Sequence, residues 1–104
     1  MKTKKKSRAV SAPYVIARTY SAGVFAGVLL GRKGKEVTLT QARRLWYWTG
    51  AASLSQLAQE GSSKPKECKF PVPVSRVTLT EVIELLAVTP QARKRIEGTP
   101  VWRA

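Results

Sequence analysis

The chain has 104 residues, which suits one domain and not two, and 43% of them are hydrophobic, enough for a modest core and too many for a disordered polymer. Lys and Arg number 19 against 6 acids, a net charge of +13, and no apolar run approaches the roughly 18 residues a membrane-spanning helix needs. There is no His, Asp or Asn, and Cys68 is the sole cysteine, so imidazole-activated nucleophiles, zinc ligand sets and an internal disulfide are all excluded.

Residues 1–11 read as a flexible basic arm carrying Lys2, Lys4, Lys5, Lys6 and Arg8. The start is basic like a signal peptide, but Ser11, Pro13 and Arg18 break the apolar stretch that follows, so no secretion signal is expected. Residues 12–104 are expected to form a single compact domain. Pro13 to Tyr20, rich in Val, Ile and Tyr, predicts a first strand; Ser21-Ala22-Gly23 predicts a turn and Val24 to Leu30 a second strand. Gly27 within that strand points to a bulge or a close backbone approach. Gly31 to Lys35 predicts a hairpin loop and Glu36 to Thr40 a third strand. For Gln41 to Trp48 a short turn or bulge followed by a strand is preferred over a helical turn.

Ser53 to Glu60 predicts a short helix with Ser53 as its N-cap, Leu54, Leu57 and Ala58 on one face, and Gly61 as its stop. Ser62 to Glu67 reads as a polar loop. Lys69 to Val74 reads as an extended segment that Pro71 and Pro73 confine to a sheet edge. Ser75 to Thr80 predicts another strand. Glu81 to Val88 fits a helix or a strand, and the β-branched pair Val82 and Ile83 selects strand. Thr89 as cap with Pro90 at the first helical position predicts a last helix to about Glu97, closed by Gly98. Val37-Thr38-Leu39-Thr40 is echoed by Val77-Thr78-Leu79-Thr80; coincidence between two strands explains this better than a duplicated unit. The expected fold is α+β: an antiparallel sheet of about five strands with two short helices behind a basic arm, and oligomeric.

No catalytic residues, metal ligands or cofactors are expected. All six acids are Glu, and only Glu81 and Glu84 lie close together, where two residues on the polar face of an amphipathic segment explain them. Gly31-Arg32-Lys33-Gly34-Lys35 lacks the spacing of a phosphate-binding loop, and Cys68 reads as a small apolar filler. The positive field favours nucleic acid, a nucleotide or an acidic protein face. Candidate anion-binding residues are Arg18, Arg32, Lys33, Lys35, Arg43, Arg44, Arg93, Lys94 and Arg95. Candidate stacking or interface residues are Tyr20, Trp46, Tyr47, Trp48 and Trp102. Arginine interleaved with aromatics can neutralise phosphate and stack bases, while core packing plus a subunit contact accounts for the same residues. As a strand, Leu45 and Tyr47 face one way and Trp46 and Trp48 the other. Hairpin tip, last helix and arm would form one polyanion patch if they shared a face.

The ordered series Arg18-Thr19-Tyr20-Ser21-Ala22-Gly23-Val24, Gly34-Lys35-Glu36-Val37, Ala42-Arg43-Arg44-Leu45-Trp46 with Trp48 and Gly50-Ala51, Ser53-Leu54-Ser55-Gln56-Leu57-Ala58, and Pro100-Val101-Trp102 resembles a family of small tailed-bacteriophage proteins known as a domain of unknown function. The likeness spans roughly residues 14–103, and the Lys-rich arm departs from the family pattern. The resemblance carries no catalytic residues to transfer. It implies a phage origin and two alternatives: an accessory or counter-defence protein in the host cytoplasm, for which the charge and the Arg–aromatic segment lead one to expect a nucleic acid or nucleotide ligand, or a small structural component of the virion. A protein partner or self-association is expected, and no membrane contact.

Overall fold

The computed structural model describes residues 12–104, so the expected arm and its cations lie outside the described residues. Five strands, β1 (Tyr14–Thr19), β2 (Val24–Lys33), β3 (Glu36–Arg44), β4 (Val74–Leu79) and β5 (Val82–Ala87), are joined by two helices, α1 (Leu54–Glu60) and α2 (Pro90–Gly98). A single 3-10 turn occupies Pro65–Glu67. Every strand pairing is antiparallel, in the order β4-β3-β2-β1-β5. The fold is therefore α+β, an open five-stranded antiparallel sheet with two helices.

The sheet cannot be flat. β4 and β5 are its opposite edges, yet only Thr80 and Glu81 separate them. Five flat strands at about 4.8 Å spacing would hold those edges about 19 Å apart, whereas three residue steps span at most about 11 Å. The sheet curls until its edges approach, and the Val82 N–H donates to the Lys35 carbonyl at 3.0 Å to hold β5 against the hairpin tip. Alternation along each strand then fills two cores. Val15, Ala17, Phe25, Val37, Leu39 and Leu79 point into the curl. Tyr14, Ile16 and Ala26 point outward and pack under Leu57, Ala58, Phe70 and Ile96. This is why β1 is buried on both faces along most of its length.

A bulge on β3 sets the rest. Thr40 pairs with Val28 but Arg43 pairs with Ala26, so β3 carries one extra residue there, and Gln41 takes φ 50°. The bulge reverses side-chain parity: Val37 and Leu39 face the curl before it, Ala42 after it, and Leu45 turns to the helix-side core. Gly27 lies opposite. A Cβ there would sit 2.9 Å from the Thr40 carbonyl oxygen and 3.1 Å from Ala42 Cα.

Local signals place the helices. Ser53 Oγ accepts from the Gln56 N–H, Gly61 at φ 75° closes α1, and Thr89 Oγ1 accepts from the Ala92 N–H with Pro90 opening α2. Glu81 to Val88 is strand β5, as the β-branched pair indicates, and α2 runs one residue past Glu97 to include Gly98. The two four-residue echoes prove to be partners: Thr38 faces Thr78, with Val37 opposite Leu79 and Leu39 opposite Val77.

Three expectations are corrected. The hairpin loop is shorter than Gly31 to Lys35, because β2 reaches Lys33 and only Gly34 (φ 60°) and Lys35 form the turn. Leu45 to Trp48 is not a strand: beyond Arg44 the chain makes one isolated bridge, Tyr47 with Lys69, and its faces do not alternate, since Leu45 is buried and Trp46 and Tyr47 are both exposed. Lys69 to Val74 is extended but joins the main sheet only at Val74; Phe70 instead bridges Val101 and is fully buried.

Candidate anion-binding site

The adjacent arginines Arg43 and Arg44 have opposite fates because the bulge has fixed their parity. Arg43 faces the helix-side core and is 4% exposed. It donates from Nη1 to the Ile96 carbonyl at 3.0 Å, from Nη2 to the Phe70 carbonyl at 3.2 Å and from Nε to the Pro71 carbonyl at 3.3 Å. It thereby ties the end of α2 to the Phe70-Pro71 segment. Burial pushes its guanidinium below the ordinary value, and Tyr14 acts against that shift. Arg43 is a structural crosslink and is withdrawn from the anion-binding set.

Arg44 faces solvent. Its guanidinium carbon lies 4.3 Å from the centre of the Phe25 ring, and Nη1 donates to the Ala22 carbonyl. Ala22 belongs to the turn between β1 and β2, which Thr19 builds: its hydroxyl donates to the Gly23 carbonyl at 2.7 Å and accepts from the Ala22 N–H at 2.8 Å. Gly23 at φ 97° completes the reversal. Arg44 is thus held in place with donors to spare. A groove of about 370 Å³ opens between this turn (Ser21 to Gly23) and the Arg44, Trp46 and Trp48 side chains, with Val24 and Leu45 as its floor. Two separate candidate stretches of the sequence, Arg18 to Gly23 and Ala42 to Ala51, meet there.

Trp46 belongs to both this groove and an aromatic platform beside it. Its ring stacks on Trp102 at 5.0 Å between centroids and 8° between planes. The Lys69 ammonium lies 5.6–5.7 Å from the ring centres of Trp46, Tyr47 and Trp102. Backbone pairing fixes the platform: Tyr47 and Lys69 exchange N–H···O bonds, and the Trp102 N–H donates to the Phe70 carbonyl at 3.0 Å. These rings remain open to solvent, with Trp46 58%, Tyr47 48% and Trp102 44% exposed. On the other side of Arg44 lies a second groove of about 360 Å³, lined by Phe25, Ala42, Pro71, Val72, Val74 and Val77 with Arg76 at its far side. No glutamate lines either groove.

The other predicted cations sit elsewhere. Arg18 is paired with Glu84, Nε to Oε1 at 2.8 Å. Arg32, Lys33 and Lys35 lie at the hairpin tip, about 23 Å along β2 from the end where Phe25 pairs with Arg44. Arg93 covers the Tyr14 ring at 4.6 Å and bonds Glu97 at 3.1 Å. Arg95 donates to the Glu60 carbonyl at the end of α1, and Lys94 is exposed on α2. Tip and Arg44 therefore form no common patch. Tyr20 is 78% exposed on the turn, next to the groove but outside its lining. Two cations that sequence reasoning missed, Lys69 and Arg76, belong to the site; nothing local distinguishes either, since long-range pairings bring them there.

Among the described residues, no helix is long and apolar enough to cross a membrane, and no three His, Cys, Asp or Glu side chains cluster as a metal site. Cys68 is buried, with Sγ 3.4 Å from Ser62 Oγ.

No curated protein and no solved structure matches the chain. A family model described as Domain of unknown function (DUF6948) matches residues 12–96. That span takes in the whole sheet, the Ser21 to Gly23 turn, Arg44 and both groove-lining tryptophans, and the chain belongs to this family.

Proposed function

We propose that this protein is a non-catalytic binder of nucleic acid or of a phosphorylated nucleotide, acting through the groove between the β1–β2 turn and Arg44. The observation that carries the reading is the Arg44–Trp46 pair: a guanidinium held by Ala22 and Phe25 beside an exposed indole, with no acid in the lining. A fixed guanidinium pairs bidentately with phosphate at little ordering cost, and an open indole face stacks a base for about 1–3 kcal/mol. A phage accessory or counter-defence role in the host cytoplasm is the setting that the family resemblance suggests.

Fluorescence anisotropy of a labelled oligonucleotide tests this reading. Binding is expected to weaken steeply with salt. Arg44→Gln and Trp46→Ala should each lower affinity about tenfold, the value of one charge-assisted contact or one stacked base. Wild-type protein that binds neither oligonucleotide nor nucleotide refutes the proposal.

A second reading, a small virion subunit acting through protein contacts, is favoured by the same exposed Trp46, Tyr47 and Trp102, since aromatic residues anchor interfaces. Stoichiometric recovery of the protein from purified particles supports that reading, and its absence from them removes it.

A further inference from the structure

We infer that the ligand is a single strand of nucleic acid laid across both grooves, with Arg44 at the crossing point and Arg76 as a second phosphate contact; this rests on the function proposed above. Arg44 lines the turn-side groove and the groove on its other side, so the two meet at one guanidinium. Arg76 pairs in register with Thr40, and because of the bulge Thr40 to Arg44 matches only Val28 to Phe25 on β2, three strand steps or about 10 Å. The Arg44 head group cannot close that gap, because its bond to Ala22 draws it toward the β1–β2 turn, at the end of β3 away from Arg76. Successive phosphates of one strand can meet the two cations of this groove while Arg44 keeps its bond to Ala22.

The walls of the second groove suit exposed bases. Pro71, Val72, Val74 and Val77 present apolar surface above the buried Phe25, and Val72 and Val74 are 56% and 43% exposed. Trp46 continues that surface beyond Arg44 to the stacked Trp102. Apolar and aromatic walls flanked by separated cations match a backbone-tracking channel with stacking positions. Duplex keeps its bases paired and stacked inside and cannot use those walls.

The test compares oligothymidylates of about two, four and eight nucleotides, thymidine monophosphate and a duplex of the longest length, by anisotropy and calorimetry. Affinity should rise from monophosphate to the longest single strand, and that strand should bind about tenfold more tightly than duplex. Arg76→Gln should weaken the longest strand about fivefold, the share of one phosphate contact, and leave the dinucleotide unchanged. Equal affinity for duplex and single strand, or an Arg76→Gln variant that binds the longest strand like wild type, overturns the inference while leaving Arg44-dependent binding standing. Loss of length dependence with full monophosphate affinity overturns it likewise and makes the site a nucleotide trap. No binding to any probe overturns this inference and the function on which it rests.

Discussion

Replacing each of the adjacent arginines with methionine should have opposite consequences. Methionine keeps the aliphatic stem and removes the guanidinium. In Arg43→Met, the Ile96, Phe70 and Pro71 carbonyls lose a donor that is charged and almost wholly buried. A hydrogen bond to a charged group contributes about 1.5–3 kcal/mol net. Relief from burying the charge, the same burial that lowers the Arg43 pKa, offsets part of this. A net loss of about 2–4 kcal/mol remains, and at about 4–8 °C per kcal/mol for a domain of this size the midpoint should fall by about 10–30 °C. Arg44→Met gives up one bond to Ala22 and the contact with the Phe25 ring, about 1 kcal/mol. Thermal denaturation followed by circular dichroism reads both, and anisotropy at a temperature where both are folded reads binding. Arg43→Met should bind like wild type, and Arg44→Met should bind weakly and melt near wild type. Equal melting of the two variants, or normal binding by Arg44→Met, would refute the assignment.

Stability should also respond to alkaline pH through Tyr14. Burial raises its phenol from the ordinary 10.0 to about 12, with Glu97 adding to the shift and Arg93 and Arg43 opposing it. The folded state therefore favours neutral Tyr14. Its contribution is complete below pH 10 and is lost as pH rises from about 10 to 12, a change of about 2–3 kcal/mol. The stability difference between wild type and Tyr14→Phe should narrow or reverse over that interval; parallel curves would contradict it. Gly27→Ala should cost about 1–3 kcal/mol in urea denaturation, because its Cβ meets bulge backbone at 2.9 and 3.1 Å. An unchanged midpoint would mean that the bulge yields at no cost.

Short-range signals in the sequence were legible. Ser53, Gly61, Thr89 and Pro90 marked the helix ends because capping needs only the next few residues, and Gly27 marked a close backbone approach because a Cβ there would meet the Thr40 carbonyl oxygen. The segment from Leu45 to Trp48 was not legible. Its bulk suits a pleated surface, but strand formation needs a neighbour, and past Leu45, whose N–H donates to the Val24 carbonyl, the bridge partner it finds among the described residues is Lys69, which arrives after α1 and the 3-10 turn. The fates of Arg43 and Arg44 were hidden for a related reason: parity along β3 depends on one extra residue at Gln41, and no local pattern counts it. Lys69 and Arg76 resemble any other surface cation until strand pairing brings them to the aromatic rings and the second groove. The Val-Thr-Leu-Thr echo was visible, but not that its two copies pair with each other.

The most direct test of the Arg44 site is a two-dimensional NMR titration of the labelled protein with a short oligothymidylate, read at backbone amides and at the three tryptophan indoles. Ser21 to Gly23, Arg44 and the Trp46 and Trp48 indoles should shift together and saturate at one stoichiometry, with the hairpin tip at Arg32 to Lys35 unmoved. Shifts confined to the tip or to α2, or none at saturating oligonucleotide, would contradict the site.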